Sequence, residues 1–161
     1  MAIKDPIPVI IDTREKLPLF SDKDKDFIII NRKLDTGDYT IDGLESILVI
    51  ERKANVNEMY GCFTTYRKRF FNEIERMMFY PLKFLIIGSN YSDIINPYSY
   101  RLQSIQKKKI ATAITASSIN HLVIKNHINV IFAGKDIKKA TSQLLKDVYK
   151  YYLKGDFVNA K

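Results

Sequence analysis

The first third of the chain alternates between short apolar runs and polar turns. Apolar runs of a few residues, bounded by charged or turn residues, are typical of β-strands. They predict four strands, at residues 7–11, 27–30, 39–41 and 46–50. Asp42 and Gly43 lie between the last two strands and favour a hairpin, so we expect those strands to be antiparallel.

From Val56 onward the pattern changes to a helical period. Apolar residues recur at steps of three and four up to Tyr80, which predicts an amphipathic helix with a break at Gly61 and an end before Pro81. The rest of the pattern predicts a strand at 82–87, a loop at 91–100, a helix from 105 to 121 or beyond, a strand at 130–132 and a helix at about 135–153. This order favours an α/β fold in which helices flank a central mixed β-sheet. With no repeat and no internal linker, residues 1–161 are expected to form a single domain.

Composition and charge narrow the class of protein and its partners. The chain is 46% hydrophobic and 27% charged, as in ordinary globular domains. No apolar run approaches the roughly 18 residues of a membrane span, and residues 1–6 lack a signal-peptide pattern, so we expect no membrane partner and a cytoplasmic location. Cys62 is the single cysteine, which excludes an internal disulfide and a multi-cysteine zinc site. The net charge of +8 favours a polyanion such as DNA, although an AT-rich genome also produces a surplus of lysine.

Asp38, Glu51 and Lys53 carry the most informative chemistry. Asp38 begins one strand and Glu51 ends the next, so a hairpin brings both carboxylates to the same end of the sheet. Lys53 faces the same way as Glu51, while Arg52 faces the opposite side. Carboxylate oxygens bind Mg²⁺ or Mn²⁺, and a nearby ammonium group can orient water or stabilise charge on phosphorus. Asp followed by Glu-x-Lys is typical of nucleases, but Glu-x-Lys alone also arises by chance.

The longer string Gly37-Asp38-Tyr39, followed by Glu51-Arg52-Lys53, resembles the XPF-type nuclease family. That family's signature is Gly-Asp, a variable hairpin and Glu-Arg-Lys. The Asp12-Thr13-Arg14-Glu15 segment resembles its Asp-x-Arg-Glu, and the basic stretch at residues 66–77 resembles the helix after its signature. The resemblance covers about residues 7–153, and short phage and bacterial members that consist of the nuclease domain alone are the closest in length.

The resemblance implies a restriction-endonuclease-like fold and a metal-dependent DNA endonuclease, acting on branched or flapped DNA in recombination, repair or replication. It implies Mg²⁺ or Mn²⁺ bound by Asp12, Asp38 and Glu51. Lys53 would position or activate water. The remaining residues expected at the site are Arg52 in catalysis, Glu15 and Asn57 in support, and Arg67, Lys68, Arg69 and Arg76 on the DNA backbone.

The chain departs from the family pattern at two positions and in its length. Asn57 stands where the family has Asp, and Glu73 stands where it usually has Gln. No room is expected after Leu153 for the helix-hairpin-helix module of eukaryotic members. Recognition of DNA structure could therefore come from a homodimer or from a partner protein, in the host cytoplasm if the chain is phage-encoded.

Each residue and the chain as a whole also have other interpretations. Asp38 could be an ordinary turn residue and Asp12 a strand-end residue, while Glu15 and Arg52 could form structural ion pairs. The basic cluster could be a solvated helix face. The chain itself could be a non-catalytic DNA-binding or scaffolding protein that retains the fold, an alternative motivated by Asn57, or an inhibitor that imitates a nuclease.

Overall fold

A six-stranded mixed sheet, with strands in the order β2-β1-β3-β4-β5-β6, forms the centre of the described part of the protein. The computed structural model describes residues 5–155; residues 1–4, part of the stretch examined for a signal peptide, and residues 156–161 lie outside it. Strand β3 is antiparallel to both β1 and β4, and the other neighbours are parallel. The strands are β1 (Ile7–Ile11), β2 (Phe27–Asn31), β3 (Tyr39–Ile41), β4 (Leu48–Lys53), β5 (Leu82–Ile87) and β6 (Asn129–Phe132).

Helices cover both faces of this sheet. They are α1 (Val56–Phe63), α2 (Arg67–Met77), α3 (Tyr91–Ile95), α4 (Ile105–Asn126) and α5 (Ile137–Leu153), with short 3₁₀ turns at Pro97–Ser99 and Gly134–Asp136. Side chains of α1, α2 and α4 pack with Val49, Leu85 and Ile87 on one face, while α5 packs with Ile50 and Ile86 on the other. Between residues 5 and 155, every helix is too short or too polar to cross a bilayer.

Most of the elements expected from the apolar pattern are confirmed, and so is the α/β fold class. Each predicted strand overlaps an observed one, and its ends lie within three residues of the observed ends. Strands β3 and β4 form the expected antiparallel pair. Two predictions are wrong. The helical segment breaks at residues 64–66 rather than at Gly61, because Thr64 leaves helical geometry with φ −123° and ψ −89°. Residues 91–100 contain α3 and a 3₁₀ turn rather than an open loop.

Candidate active site

Gly37 fixes the place of Asp38 at the start of β3. Its φ of +80° suits glycine, and a Cβ there would lie 2.5 Å from a methyl group of Val49 and 3.0 Å from the Ile50 carbonyl oxygen. This close approach lets the Asp38 backbone bond to both neighbouring strands, with its N–H donating to Ile50 O (2.8 Å) and its O accepting from Asp12 N–H (2.9 Å). Asp38 Oδ2 also accepts the backbone N–H of Arg52 at 2.7 Å. The aspartate is therefore fixed against β4.

Glu51 and Lys53 project from the same face of β4, as their two-residue spacing predicts. That face is covered by α1 and α2. Lys53 Nζ donates to Glu51 Oε1 and lies 5.5 Å from the centre of the Phe70 ring. Both residues are buried, at 3% and 8% exposure. The second oxygen of Glu51, Oε2, is buried without a hydrogen-bond partner in the described part of the protein.

The surroundings of Asp38 and Glu51 oppose ionisation, because two carboxylates lie close together with little access to water. Burial raises the pKa of Asp38 to about 6, against the opposing effects of the Arg52 N–H and the Lys53 charge. Burial and the Asp38 charge hold the pKa of Glu51 well above its ordinary value. Burial alone would lower the pKa of Lys53, but the Glu51 carboxylate outweighs burial and raises that pKa, so Lys53 remains a cation.

Glu73 on α2 is a third acidic residue of this site. Its Oε1 accepts the N–H of Gly37 at 3.4 Å, and its charge contributes to raising the pKa of both Asp38 and Glu51. Sequence reasoning noted Glu73 only as a departure from the family pattern and gave it no role. Its place on the helix one turn beyond Phe70, which packs beside Lys53, could have identified it.

Both side-chain oxygens of Asp12 accept hydrogen bonds from other groups of the protein. Its Oδ1 accepts the backbone N–H and Nε–H of Arg14, both at 2.7 Å. Its Oδ2 accepts Arg14 Nη2 (3.0 Å) and the N–H of Leu34 (2.6 Å). Burial would raise the pKa of Asp12, but these hydrogen bonds outweigh burial and hold the pKa below its ordinary value. The Arg14 side chain stays 60% exposed, and the charges of Asp38 and Glu73 act on it.

Arg52 and Glu15 form a two-contact ion pair with each other. Arg52 Nε and Nη2 donate to the two Glu15 oxygens at 3.0 and 2.9 Å, and Nη2 also donates to Leu17 O at 3.3 Å. Since Arg52 alternates with Glu51 and Lys53 along β4, its side chain points to the opposite face of the sheet. The structure thus places this pair behind the two carboxylates, where it fastens residues 15–17 to β4.

Asn57 bridges α1 and the segment that follows α3. Its Nδ2 donates to Ser99 O (3.1 Å), and its Oδ1 accepts the N–H of Arg101 (2.8 Å). An aspartate could not make the first of these bonds, because an ionised carboxylate has no donor. Asn57 therefore has a structural role, and both polar atoms of its side-chain amide already have hydrogen-bond partners.

Two adjoining depressions lie beside α2. The first, here called the Lys53 cleft, has a volume of about 290 Å³ and is lined by Lys53, Glu58, Cys62, Tyr66, Arg69, Phe70 and Glu73. The second, the α2 groove, has a volume of about 420 Å³ and is lined by Thr65, Tyr66, Lys68, Arg69, Asn72 and Arg76. Because both share Tyr66 and Arg69, the cleft opens directly onto a basic surface.

The four basic residues expected on DNA do not share one face. Lys68, Arg69 and Arg76 line the α2 groove, and Arg76 Nε also donates to Thr36 Oγ1 at 3.0 Å. Arg67 instead lies over the ring of Phe71, 4.7 Å from its centre. Three of the four cations thus border one channel, and Arg67 is turned toward a different neighbour.

The fold is similar to that of XPF from Aeropyrum pernix. One structure of that protein is 18% identical, with a TM-score of 0.63, and the match covers 90% of this chain and 61% of that chain. A second, in complex with DNA, is 16% identical, with a TM-score of 0.63 and coverage of 89% and 65%. This chain thus spans less than two thirds of either. No family model and no curated protein matches it. The likeness shows a restriction-endonuclease-like α/β fold.

Proposed function

We propose that this protein is a metal-dependent DNA endonuclease, a phosphodiester hydrolase whose active site consists of Asp38, Glu51 and the adjoining Lys53 cleft. The observation that carries the proposal is Glu51, a carboxylate 3% exposed, with one oxygen bound to Lys53 and the other without a partner in the described residues. A buried polar atom left unsatisfied costs roughly 1–3 kcal/mol. A protein keeps such an atom beside a second carboxylate when the pair has a ligand to bind.

The donors fit a hard divalent cation. Asp38 and Glu51 offer carboxylate oxygens, the ligands that Mg²⁺ and Mn²⁺ prefer. A cation would offset both the burial and the smaller carboxylate repulsion that raise the two pKa values. We therefore propose that these two residues hold the ion, and we place Asp12 outside the ligand set because both its oxygens bind Arg14 and Leu34. When bound, such an ion supplies Lewis-acid stabilisation of phosphate charge and a more acidic water.

The surrounding side chains stabilise charge, position the attacking water and contact the phosphate. Lys53, kept protonated by Glu51, stabilises the negative charge that grows on phosphorus as water attacks, and it does not accept the proton. Glu73, at the wall of the cleft, accepts a hydrogen bond from the attacking water. Arg14, oriented by Asp12 and still exposed, contacts a non-bridging phosphate oxygen. As the water oxygen bonds to phosphorus, the proton it loses passes by way of the Glu73 carboxylate to solvent. The bond from phosphorus to the leaving oxygen then breaks, and that oxygen takes up a proton from solvent.

The substrate we propose is DNA, with branched or flapped forms as the preferred class, processed in recombination, repair or replication. The basic α2 groove adjoins the Lys53 cleft, so a strand whose phosphates bind Lys68, Arg69 and Arg76 would be led to Lys53, the partner of Glu51. One structure of XPF from Aeropyrum pernix, whose fold this chain shares, contains DNA. That likeness supports DNA as the polyanion.

The test is a cleavage assay on a labelled set of DNAs: single strand, duplex, flap, splayed arm and four-way junction. The protein is assayed with Mg²⁺, with Mn²⁺ and with EDTA, beside the Glu51→Ala variant. We expect cutting only with a divalent ion and none by Glu51→Ala, which still binds DNA. Equal cutting by the variant would exclude the proposed site, and the best-cut DNA identifies the substrate class.

A second candidate is a DNA-binding or scaffolding protein that retains the fold without catalysis. One observation favours it: in residues 5–155, no group of three or more His, Cys, Asp or Glu side chains is arranged to hold a metal ion. Titration calorimetry separates the two candidates. The nuclease binds Mn²⁺ through Asp38 and Glu51, and the scaffold binds none.

A further inference from the structure

Tyr66 is unusual among the exposed aromatic side chains of the described residues. Four of the six exposed rings have an aromatic or cationic partner, namely Tyr91, Tyr98, Tyr151 and Tyr152. Tyr66 and Phe79, which are 59% and 85% exposed, have neither. Of these two, only Tyr66 lines the Lys53 cleft, and it lines the α2 groove as well.

A backbone hydrogen bond and a contact with Gly61 hold Tyr66 in position. The residue lies in the turn that separates α1 from α2, and its N–H donates to Gly61 O at 2.9 Å. The ring lies over Gly61, where a Cβ would be 3.6 Å from the nearest ring carbon. One part of the ring is thus supported by the backbone of α1, while more than half of the residue's surface is open to solvent.

Cations line both of the depressions that this ring borders. Lys53 and Arg69 border the cleft, and Lys68 and Arg76 border the groove. A basic channel that follows the phosphates, with an exposed aromatic ring beside it, is the combination that binds single-stranded nucleic acid. Bases within a duplex already stack on their neighbours, so only an unpaired base can reach such a ring.

We propose that Tyr66 is a stacking site for one unpaired base of the DNA strand that passes from the α2 groove into the Lys53 cleft. The inference rests on the proposed function for the identity of the polymer, and it adds a residue that selects among DNAs. The phosphates beside the stacked base enter the cleft that Lys53 and Glu73 line, so the cut falls next to an unpaired nucleotide. Fully paired DNA lacks this contact and depends on the basic groove alone.

Binding without cleavage tests the subsite independently of catalysis. A forked DNA and a duplex of equal length are titrated with protein in EDTA, with affinity measured by fluorescence anisotropy. The fork carries 2-aminopurine, whose emission falls on stacking, at its first unpaired position. The proteins are wild type, Tyr66→Ala, Tyr66→Phe and, as a matched control, Phe79→Ala, which removes the other unpartnered exposed ring. Circular dichroism shows that each variant is folded.

We expect Tyr66→Ala to weaken binding to the fork by about 5- to 150-fold, the range for one stacked base, and to restore 2-aminopurine emission. Binding to the duplex should change by less than about twofold, and Tyr66→Phe and Phe79→Ala should behave as wild type. Equal effects of Tyr66→Ala on fork and duplex, or a loss with Tyr66→Phe, would overturn the proposal. A wild type that never cuts DNA but shows this pattern refutes the nuclease alone, and a cutting enzyme without this pattern refutes the subsite alone.

Discussion

Lys53 and Glu51, two residues apart on β4, form an ion pair on the face of the strand that packs against α2, and their side chains are 10% and 4% exposed. Little water reaches the pair, so each charge depends on the other for compensation. Glu51 keeps Lys53 protonated, and Lys53 offsets part of the burial that opposes a charged Glu51. The charge of each residue therefore depends on its neighbour on the same face of the strand.

Removal of one partner should destabilise the protein more than removal of both. In Lys53→Met, Glu51 remains buried beside Asp38 without its cation, and we expect the free energy of unfolding to fall by about 3 kcal/mol at pH 7. The double variant Lys53→Met/Glu51→Gln should recover most of that loss. Urea unfolding of the wild type, Lys53→Met, Glu51→Gln and the double variant measures the coupling. Additive effects would show that the pair contributes little.

Stability without metal should decrease as pH rises through the pKa of Asp38. That pKa is raised from 3.8 to about 6, so the folded state favours the protonated carboxyl. The stability from this preference is present below about pH 4 and is lost as pH rises through about 6, with a difference of about 3 kcal/mol. In EDTA, Asp38→Asn should exceed the wild type in stability at pH 8 but not at pH 4.

Wild type and Asp38→Asn also distinguish the effect of ion binding on stability from the effect of burying the Asp38 carboxylate. Addition of Mg²⁺ at pH 8 should stabilise the wild type and leave Asp38→Asn unchanged, because only the wild type gains a ligand for the folded state. Thermal unfolding with and without Mg²⁺ measures this. A variant no more stable than the wild type at pH 8 in EDTA would contradict the raised pKa.

Asp12 should act on cleavage through Arg14 and leave ion affinity intact. In Asp12→Asn the side chain keeps one acceptor oxygen and loses the two-oxygen contact with the guanidinium. We expect slower cleavage, and Mn²⁺ affinity by calorimetry within about twofold of wild type. A metal ligand would behave differently, since even the loss of a residue that orients a ligand lowers affinity by roughly 10- to 100-fold. A loss of that size would restore Asp12 to the ligand set.

Asn57→Asp tests whether position 57 supplies charge to the ion. The aspartate cannot donate to Ser99 O, and its carboxylate would face that carbonyl oxygen. We expect the free energy of unfolding to fall by about 1–3 kcal/mol, with no gain in Mn²⁺ affinity. A tighter Mn²⁺ complex in this variant would show instead that position 57 belongs to the ion site.

The apolar pattern predicted the fold because each strand and long helix has a face in one of the two cores. Val49 and Ile50 alternate between those cores, and that alternation is the period on which strand prediction depends. Helix α3 was not predicted because it has five residues and only one buried side chain, Ile94. A single apolar position cannot show a helical period. Its stability comes from a reciprocal cap between Asn90 and Asp93, a local signal that the apolar pattern does not contain.

The candidate site was predicted where its geometry is local and missed where it depends on tertiary contacts. The spacing of Glu51 and Lys53 on one strand predicts a shared face. Nothing in the spacing of Asp12 shows that Leu34, 22 residues away, donates to its carboxylate. Likewise, Glu73 reaches Gly37 only because α2 packs over the start of β3. Such contacts between distant segments require the folded chain.

Two arginines of α2 provide a matched test of DNA contact. Arg69 lines both the cleft and the groove, whereas Arg67 lies over Phe71. Arg69→Ala should weaken DNA binding and lower the salt slope of log affinity by about 1. Arg67→Ala, an identical substitution two residues away, should leave the slope unchanged. Anisotropy titrations at several salt concentrations measure both, and equal slopes would contradict the proposed path of the DNA.

The most direct test of a metal-dependent nuclease is single-turnover cleavage of a labelled forked DNA by wild type and Glu51→Gln over a range of Mn²⁺ concentrations. The glutamine keeps the size of the side chain and removes its charge. We predict metal-dependent cutting by the wild type and a loss of at least about 100-fold in Glu51→Gln, with both proteins bound to the fork to the same extent. Cutting by Glu51→Gln at the wild-type rate, or cutting by the wild type in EDTA, would contradict the assignment of Glu51.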